Sequence, residues 1–219
     1  MILVFFWKIK LGNFPWAILH MGLDRLALAR RSDVKFWKLL GTGKGETFTP
    51  RDADIHRWGL LVVVEQDSDF ANSEIINRWN RKAQSQFSAQ LSPISVHGAW
   101  SKQTPFNQIP HAAKDWSGKV VAITRARIKW RKNVIFWKSV PPVTTSLHSS
   151  PGLISAIGIG EAPIGLQGTF SIWESGEAVK NFAYSGAAHK EAIKATHRHA
   201  WYAEEMFARF ALLKSNGSL

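Results

Sequence analysis

The sequence predicts an α+β fold in which one β-α-β-β-α-β unit occurs twice within 219 residues. Three observations predict it. Strand-like and helix-like stretches alternate in that order through residues 1–100, the order restarts after a polar, proline-bearing break, and the two halves share strings in matching positions.

Residues 2–10, ILVFFWKIK, are β-branched and aromatic and stop before Gly12, as a strand does. Pro15 then opens a helix over 15–30, with Ile18, Leu19, Leu23, Leu26 and Ala27 at helical spacing. FWKLLGTGKG (36–45) reads as a short strand running into a glycine loop, and WGLLVVVEQ (58–66) as a buried strand. SDFANSEIINRWNRKAQSQF follows as a helix capped by Ser68 or Asp69, and ISVHGAW (94–100) closes the unit as a strand. Residues 101–118 hold two prolines and break the periodicity, so they form a linker or an ordered crossover.

The pattern then restarts. KVVAITRARIKW (119–130) is a strand, 133–147 a helix broken at Pro141 and Pro142, and LISAIGIGE (153–161) and QGTFSIWES (167–175) are strands. A helical tract runs from about Glu177 to Ala200, interrupted near Ser185 and Gly186, and FARFALLK (207–214) is the last strand. LLGTG then WGLLVVVEQDSDFAN in the first half answer AIGIG then GTFSIWESGEAVKNFA in the second. Duplication of a ferredoxin-like unit is the simplest account, with residues 1–100 as one half, 101–118 as the connection and 119–219 as the other. Two such units in one chain close into an α+β barrel, helices outside and a cavity between sheet and helix layers.

Composition narrows the chemistry. With 45% apolar residues the chain builds a real core. Its net charge of +12 would suit nucleic acid or an anionic membrane, but the basic residues are scattered and nucleic acid is not expected. The densest piece, TRARIKWRKN, alternates basic and apolar positions as a half-exposed strand would. Eleven Trp and thirteen Phe against two Tyr suit either an aromatic core or contact with a large apolar ligand or membrane interface. The absence of cysteine excludes disulfides, thiolate-held clusters and thiolate-ligated haem. MILVFFWKIKLGNF lacks a leading basic region and a small-residue cleavage site, so it reads as a strand and not as a signal. No uncharged stretch approaches the roughly 20 residues needed to cross a bilayer, so membrane contact is expected to be peripheral to a cytoplasmic protein.

GTGKGET (41–47) lacks the spacing of a phosphate loop, since Lys44 is followed by Gly45 and Glu46, and it reads as a tight turn at a pocket mouth. On the last predicted helix His189, Ala192, Ile193, Thr196 and Ala200 share one face, opposite Lys190, Glu191, Lys194 and Arg198. His197 and His199 fall about 80° to either side of His189, so the three cannot ligate one metal. The lone inward imidazole, flanked by Ala188, Ala192 and Thr196, is either a satisfied core histidine or a ligand to a flat group for which small neighbours leave room. Arg209, between Phe207 and Phe210, is either a structural ion pair or a pocket cation for an anionic group such as a propionate. No Ser/His/Asp arrangement supports hydrolase chemistry.

KFWKLLGTGKGETFTP, HRWGLLVVV, VVAITRARI, FWKSVPPV, GIGEAPIGLQGTFSIW, AAHKEAI and WYAEEMFARF together resemble the spheroidene monooxygenase family of acyclic carotenoid ketolases over nearly the whole chain. The resemblance implies oxygenation of a CH₂ near the end of a long acyclic carotenoid by successive hydroxylations to a keto group. It also implies haem iron, with AAHKEAI placing the iron ligand on His189, where helical geometry had already selected a residue. Oxidising an unactivated C–H bond needs a strong oxidant, and no flavin or nicotinamide fingerprint is present. Without cysteine, the ligand is His189 or, as alternatives, Tyr184 or Tyr202. On this reading Arg209 and Trp201 contact the cofactor, Phe36, Trp37, Trp58 and Trp173 line a substrate tunnel, and electrons come from an outside donor or peroxide. The substrate dissolves in membrane, which gives a basic, Trp-rich protein reason to dock on an anionic leaflet. A non-catalytic haem or apolar-ligand carrier, a cofactor-independent oxygenase, and assembly into a homo-oligomer stay open.

Overall fold

The computed structural model describes residues 1–44, 49–139, 141–161, 166–185 and 201–219. Strands β1 (Ile2–Ile9), β2 (Val34–Gly43), β3 (Ala53–Val64) and β4 (Ala83–Gly98) carry helices α1 (Phe14–Ala29) and α2 (Glu74–Lys82) between them. Strands β5 (Val120–Ile128), β6 (Leu153–Gly160), β7 (Leu166–Trp173) and β8 (Tyr202–Gly217) follow, with α3 (Asn133–Ser139), α4 (Pro141–His148) and α5 (Gly176–Ser185). All eight strands close one antiparallel barrel in the order β1-β3-β2-β6-β7-β5-β8-β4. Each half therefore contributes the ferredoxin-like order, β4-β1-β3-β2 and β8-β5-β7-β6, and closure leaves no strand edge unpaired.

The halves meet at two seams. The long one pairs β4 with β8 from Phe87↔Gly217 to Gly98↔Met206. At the short one Gly41, Thr42 and Gly43 of β2 face Gly160, Ile159 and Gly158 of β6. The matching strings LLGTG and AIGIG are thus the residues that close the barrel.

Alternation along the strands separates two environments. Inward side chains such as Phe6, Phe36, Leu61, Phe87, Val121, Ile123, Phe170, Met206 and Phe210 form one packed cluster. Phe6 meets Phe170 edge-on at 5.1 Å, so the barrel holds a core and not a channel. The crossover after β4 is ordered: Phe106 is fully buried among these residues, 5.1 Å from Phe210, and Ala112 N–H donates to the Pro93 carbonyl at 2.8 Å.

Outside the first half, Leu3, Phe5, Trp7, Ile9, Leu39, Trp58, Leu60 and Val62 pack under α1 and α2. Trp7 stacks on Trp79 at 5.1 Å, and the buried Asp24 of α1 accepts from Trp79 Nε1 at 2.7 Å and pairs with Arg78.

Four elements differ from their sequence expectation. The apolar stripe of α1 faces outward: Ile18, Leu19, Leu23 and Leu26 are 51%, 56%, 49% and 59% exposed, while Ala17, Asp24 and Leu28 face the barrel. A bulky indole layer leaves room there for Ala17 and supplies the donors that Asp24 needs. The second helix starts at Glu74, because Phe70–Asn72 forms a 3₁₀ turn that drives Phe70 into the core. β4 begins at Ala83 and not near residue 94, since Phe87, Ala89 and Leu91 alternate inward with period two. β8 is likewise longer, Tyr202–Gly217, while of the expected helical tract α5 occupies Gly176–Ser185 and 186–200 lie outside the described residues.

One end of the barrel interior is polar. Arg125 of β5 is buried and reaches Glu161 at 2.9 Å and Glu204, while Lys38 Nζ pairs with Glu161 at 2.8 Å. The expected half-exposed reading of TRARI therefore fails at Arg125, which faces inward; Arg127 is exposed at the barrel end. Trp100 Nε1 donates to Glu161 at 2.8 Å, and the N–H groups of Ser101 and Lys102 donate to the Glu204 carboxylate. Those two residues have φ of 55° and 62°, a left-handed pair whose adjacent N–H groups form a nest for an anion. Burial raises both carboxyls, but the ion pairs and N–H donors more than offset it, and both pKa values lie below the usual 4.5.

Because these folded pKa values are lowered, the cluster's stabilisation is complete above about pH 4.5 and fades as pH falls through the folded values. Urea unfolding of the wild type should lose stability over that acid range, and the Glu161→Gln/Glu204→Gln variant should show a flatter profile there. Arg125→Met, which removes the buried cation between two carboxylates, should cost about 3–5 kcal/mol at neutral pH in the same measurement.

Candidate functional site

The outer faces of the two halves are built from equivalent positions and filled differently. In the first half, cross-strand triples Trp37–Val62–Leu3 and Leu39–Leu60–Phe5 lie side by side on β2, β3 and β1. Their counterparts on β6, β7 and β5 are Ala156–Ser171–Ala122 and Gly158–Thr169–Thr124. Six large or branched side chains are thus answered by small ones.

The second-half face is covered at its two ends. At one, Leu147 of α4 and Val179 of α5 pack on Val120 and Trp173. At the other, Phe136 of α3 meets Trp201 edge-on at 5.6 Å, and Lys129 N–H donates to the Trp201 carbonyl at 2.7 Å. Between them lie Thr124, Thr169 and Gly158, with Phe207 beside Thr124 and 42% exposed. The result is a flat, small-residue strip rimmed by aromatic rings.

Polar groups on the strip are few and oriented. The Thr124 and Thr169 hydroxyls share a 2.7 Å hydrogen bond, and Trp173 Nε1 donates to Ser171 Oγ at 2.9 Å. Arg209, paired in register with Ala122, stands on the same face and donates from Nε to Ser95 Oγ at 2.9 Å. Among the described residues no carboxylate pairs with Arg209, so of its two sequence readings the structure supplies no ion-pair partner. The Lys38–Arg125–Glu161–Glu204 cluster, by contrast, holds two cations and two anions and is internally satisfied. A shallow groove of about 530 Å³ beside α4 and α5 is lined by Ser146, Ser150, Glu174, Ser175 and Asn181, a polar setting unsuited to a hydrocarbon.

The expected site residues fall in different places. His189 lies outside the described residues, as do His197 and His199. Trp201 is buried and packs on Phe136 and Tyr202 at the end of the strip. The four residues expected to line one tunnel do not share a cavity. Phe36 points into the barrel core, Trp37 and Trp58 belong to the layer under α1 and α2, and Trp173 packs on Phe182 of α5. Aromatic content chose them, whereas strand register separates them, since adjacent Phe36 and Trp37 must point to opposite faces. The strip itself went unrecognised. Its signal was present in Ala122-x-Thr124-x-Ala126 and Thr169-x-Ser171 set beside Leu3-x-Phe5-x-Trp7 and Leu60-x-Val62. Among the described residues no cluster of three or more His, Asp or Glu suits a metal ion.

No protein-family model matches the chain. Its fold is shared with aldoxime dehydratase, at TM-score 0.56 and 9% identity over 96% of this chain and 80% of that one. The butyraldoxime complex of aldoxime dehydratase OxdRE gives TM-score 0.60 at 9% identity, covering 96% and 78%. The sequence relatives are much nearer. Spheroidene monooxygenase from Rhodobacter capsulatus is 36% identical over 211 residues, spanning 94% of this chain and 87% of that protein. The Rubrivivax gelatinosus spheroidene monooxygenase is 34% identical over 188 residues, 84% of this chain and 71% of that protein, and that of Cereibacter sphaeroides is 33% identical over 207 residues, 92% and 63%. Identity sustained at this level along nearly the whole barrel, together with the motif strings that carried the resemblance, establishes that the chain belongs to the spheroidene monooxygenase family.

Proposed function

We propose that this protein is a carotenoid monooxygenase that converts a CH₂ near the end of an acyclic carotenoid into a ketone, using haem held by His189 over the second-half strip. The observation that carries the reading is the replacement of Trp37–Val62–Leu3 and Leu39–Leu60–Phe5 by Ala156–Ser171–Ala122 and Gly158–Thr169–Thr124. The residues present fit such a group on the sheet side. A floor of small side chains accommodates a macrocycle, and the half-buried Arg209 offers a cation to a propionate. In this division of labour residues 119–219 form the functional half and 1–100 the packed one, joined by 101–118.

Bound haem would supply oxygen activation. The chain's own residues would supply orientation: His189 would hold the iron, Arg209 would clamp a carboxylate, and Trp201 and Phe207 would form apolar walls that exclude water from the hydrocarbon. Two hydroxylations at one carbon, each consuming O₂ and two electrons from an outside donor, give a geminal diol that loses water to the ketone. Among the described residues no helix is long and apolar enough to cross a membrane. Net charge of +12 and eleven Trp favour peripheral contact with an anionic leaflet, where the substrate resides.

Protein reconstituted with haem should show a Soret band that His189→Ala abolishes or shifts; a band unchanged in the variant places the ligand elsewhere. Thr124→Phe, which restores the first half's Phe5 at the equivalent position, should block haem uptake while leaving the thermal transition cooperative. Arg209→Ala should weaken haem affinity about tenfold, read by haem titration. Cells fed an acyclic carotenoid and expressing the wild type should accumulate a product that has gained one oxygen and lost two hydrogens, and a carrier would yield none.

A further inference from the structure

Among the described residues, the outward face of α1 gathers four exposed large apolar side chains on one helix. Ile18, Leu19, Leu23 and Leu26 are each about half exposed or more, and Leu11, in the turn that leads into the helix, is 58% exposed. The opposite face is already occupied by the barrel through Ala17 and Leu28, so α1 is apolar nearly all round. A helix of that kind is covered on every side in its working state.

The charges around it identify the cover. Lys10, Arg25 and Arg30 are exposed around this face, and no carboxylate pairs with any of them among the described residues. Asp24 is the sole acidic residue between positions 8 and 31, and it is buried beneath the helix against Arg78 and Trp79. Trp16 is half-buried near the helix start, stacked on His20 at 4.2 Å with Lys82 5.8 Å above its ring. An apolar strip bordered by unpaired cations and an interfacial indole matches a surface of acyl chains beneath anionic headgroups. A second copy fits poorly, since apposing two such faces would bring three unpaired cations of each into one low-dielectric interface.

We infer that α1 docks this protein on an anionic lipid bilayer, with Ile18, Leu19, Leu23 and Leu26 inserted among the upper acyl chains and Lys10, Arg25 and Arg30 on the headgroups. The benefit of docking rests on the proposed carotenoid substrate; the surface itself does not. Trp130 supplies an internal control. It is 77% exposed in the turn after β5, the position equivalent to Leu11 after β1. The β1, β4, β8 and β5 neighbours are successively antiparallel, so β1 and β5 run in opposite senses and their ends carry Leu11 and Trp130 to opposite ends of the barrel.

The test is cosedimentation with phosphatidylglycerol/phosphatidylcholine vesicles at low salt, in the absence of carotenoid. Wild type should bind, binding should fall with salt or when phosphatidylglycerol is omitted, and Leu19→Glu/Leu26→Glu should partition at least about tenfold more weakly while keeping its far-UV circular dichroism and melting temperature. Leu19→Trp/Leu26→Trp should bind as well as wild type, and so should Trp130→Ala. Unchanged binding by the double glutamate variant, or loss in Trp130→Ala, would overturn the assignment. So would a wild-type dimer in sedimentation velocity that the glutamate variant splits, which would make the face a self-interface. Ketone formation from carotenoid in detergent micelles separates the two proposals: failure there in wild type and variant alike removes the substrate reading and leaves the vesicle result standing.

Discussion

Closure of the sheet by its two seams is the constraint on which the rest depends. Joining β4 to β8 and β2 to β6 turns two four-stranded sheets into a barrel whose inside is completely committed to packing. Among the described residues the interior is packed, which leaves the outer faces, between sheet and helices, as the room for a ligand. The short seam pairs Gly41, Thr42 and Gly43 with Gly160, Ile159 and Gly158, and there Thr42 and Ile159 turn inward. The long seam also holds Arg209 on β8 against Ser95 on β4.

Inside the barrel, charge is confined to one end and neutralised there. Arg125 lies between two glutamates drawn from β6 and β8, and Lys38 of β2 completes the set, so four strands from both halves converge on one group of ion pairs. The turn at Ser101 and Lys102 adopts a backbone that L-residues disfavour, and the Glu204 carboxylate offsets that strain by accepting both N–H groups. Truncating any member leaves a buried charge unmatched.

Much of this fold was legible in the sequence because strand period and helix period differ and the unit is repeated. All eight strands and the two-fold order of elements follow from those periods and from the paired strings LLGTG and AIGIG. Boundaries were less legible where two periods overlap: AQSQF continues the helical spacing of α2 but already alternates as β4. Sidedness was the main loss. Ile18, Leu19, Leu23 and Leu26 show the right spacing, yet spacing does not say which face meets the barrel, and the polar Asp24 occupies the inward position through its bonds to Trp79 and Arg78. The same ambiguity scattered the expected tunnel residues over three layers. The site strip escaped notice because its signal is what is missing, and small residues stand out only beside their bulky equivalents in the other half.

That difference between halves has a consequence for symmetry. Two identical units assembled as a dimer would present two identical faces, and any residue made small to admit a ligand would open a cavity at both. Carrying the units in one chain releases each position from its twin. Phe5 and Thr124 occupy equivalent places and answer to different demands, one filling a layer and the other leaving space. A barrel built this way can open one outer face while the other keeps its full complement of tryptophan packing.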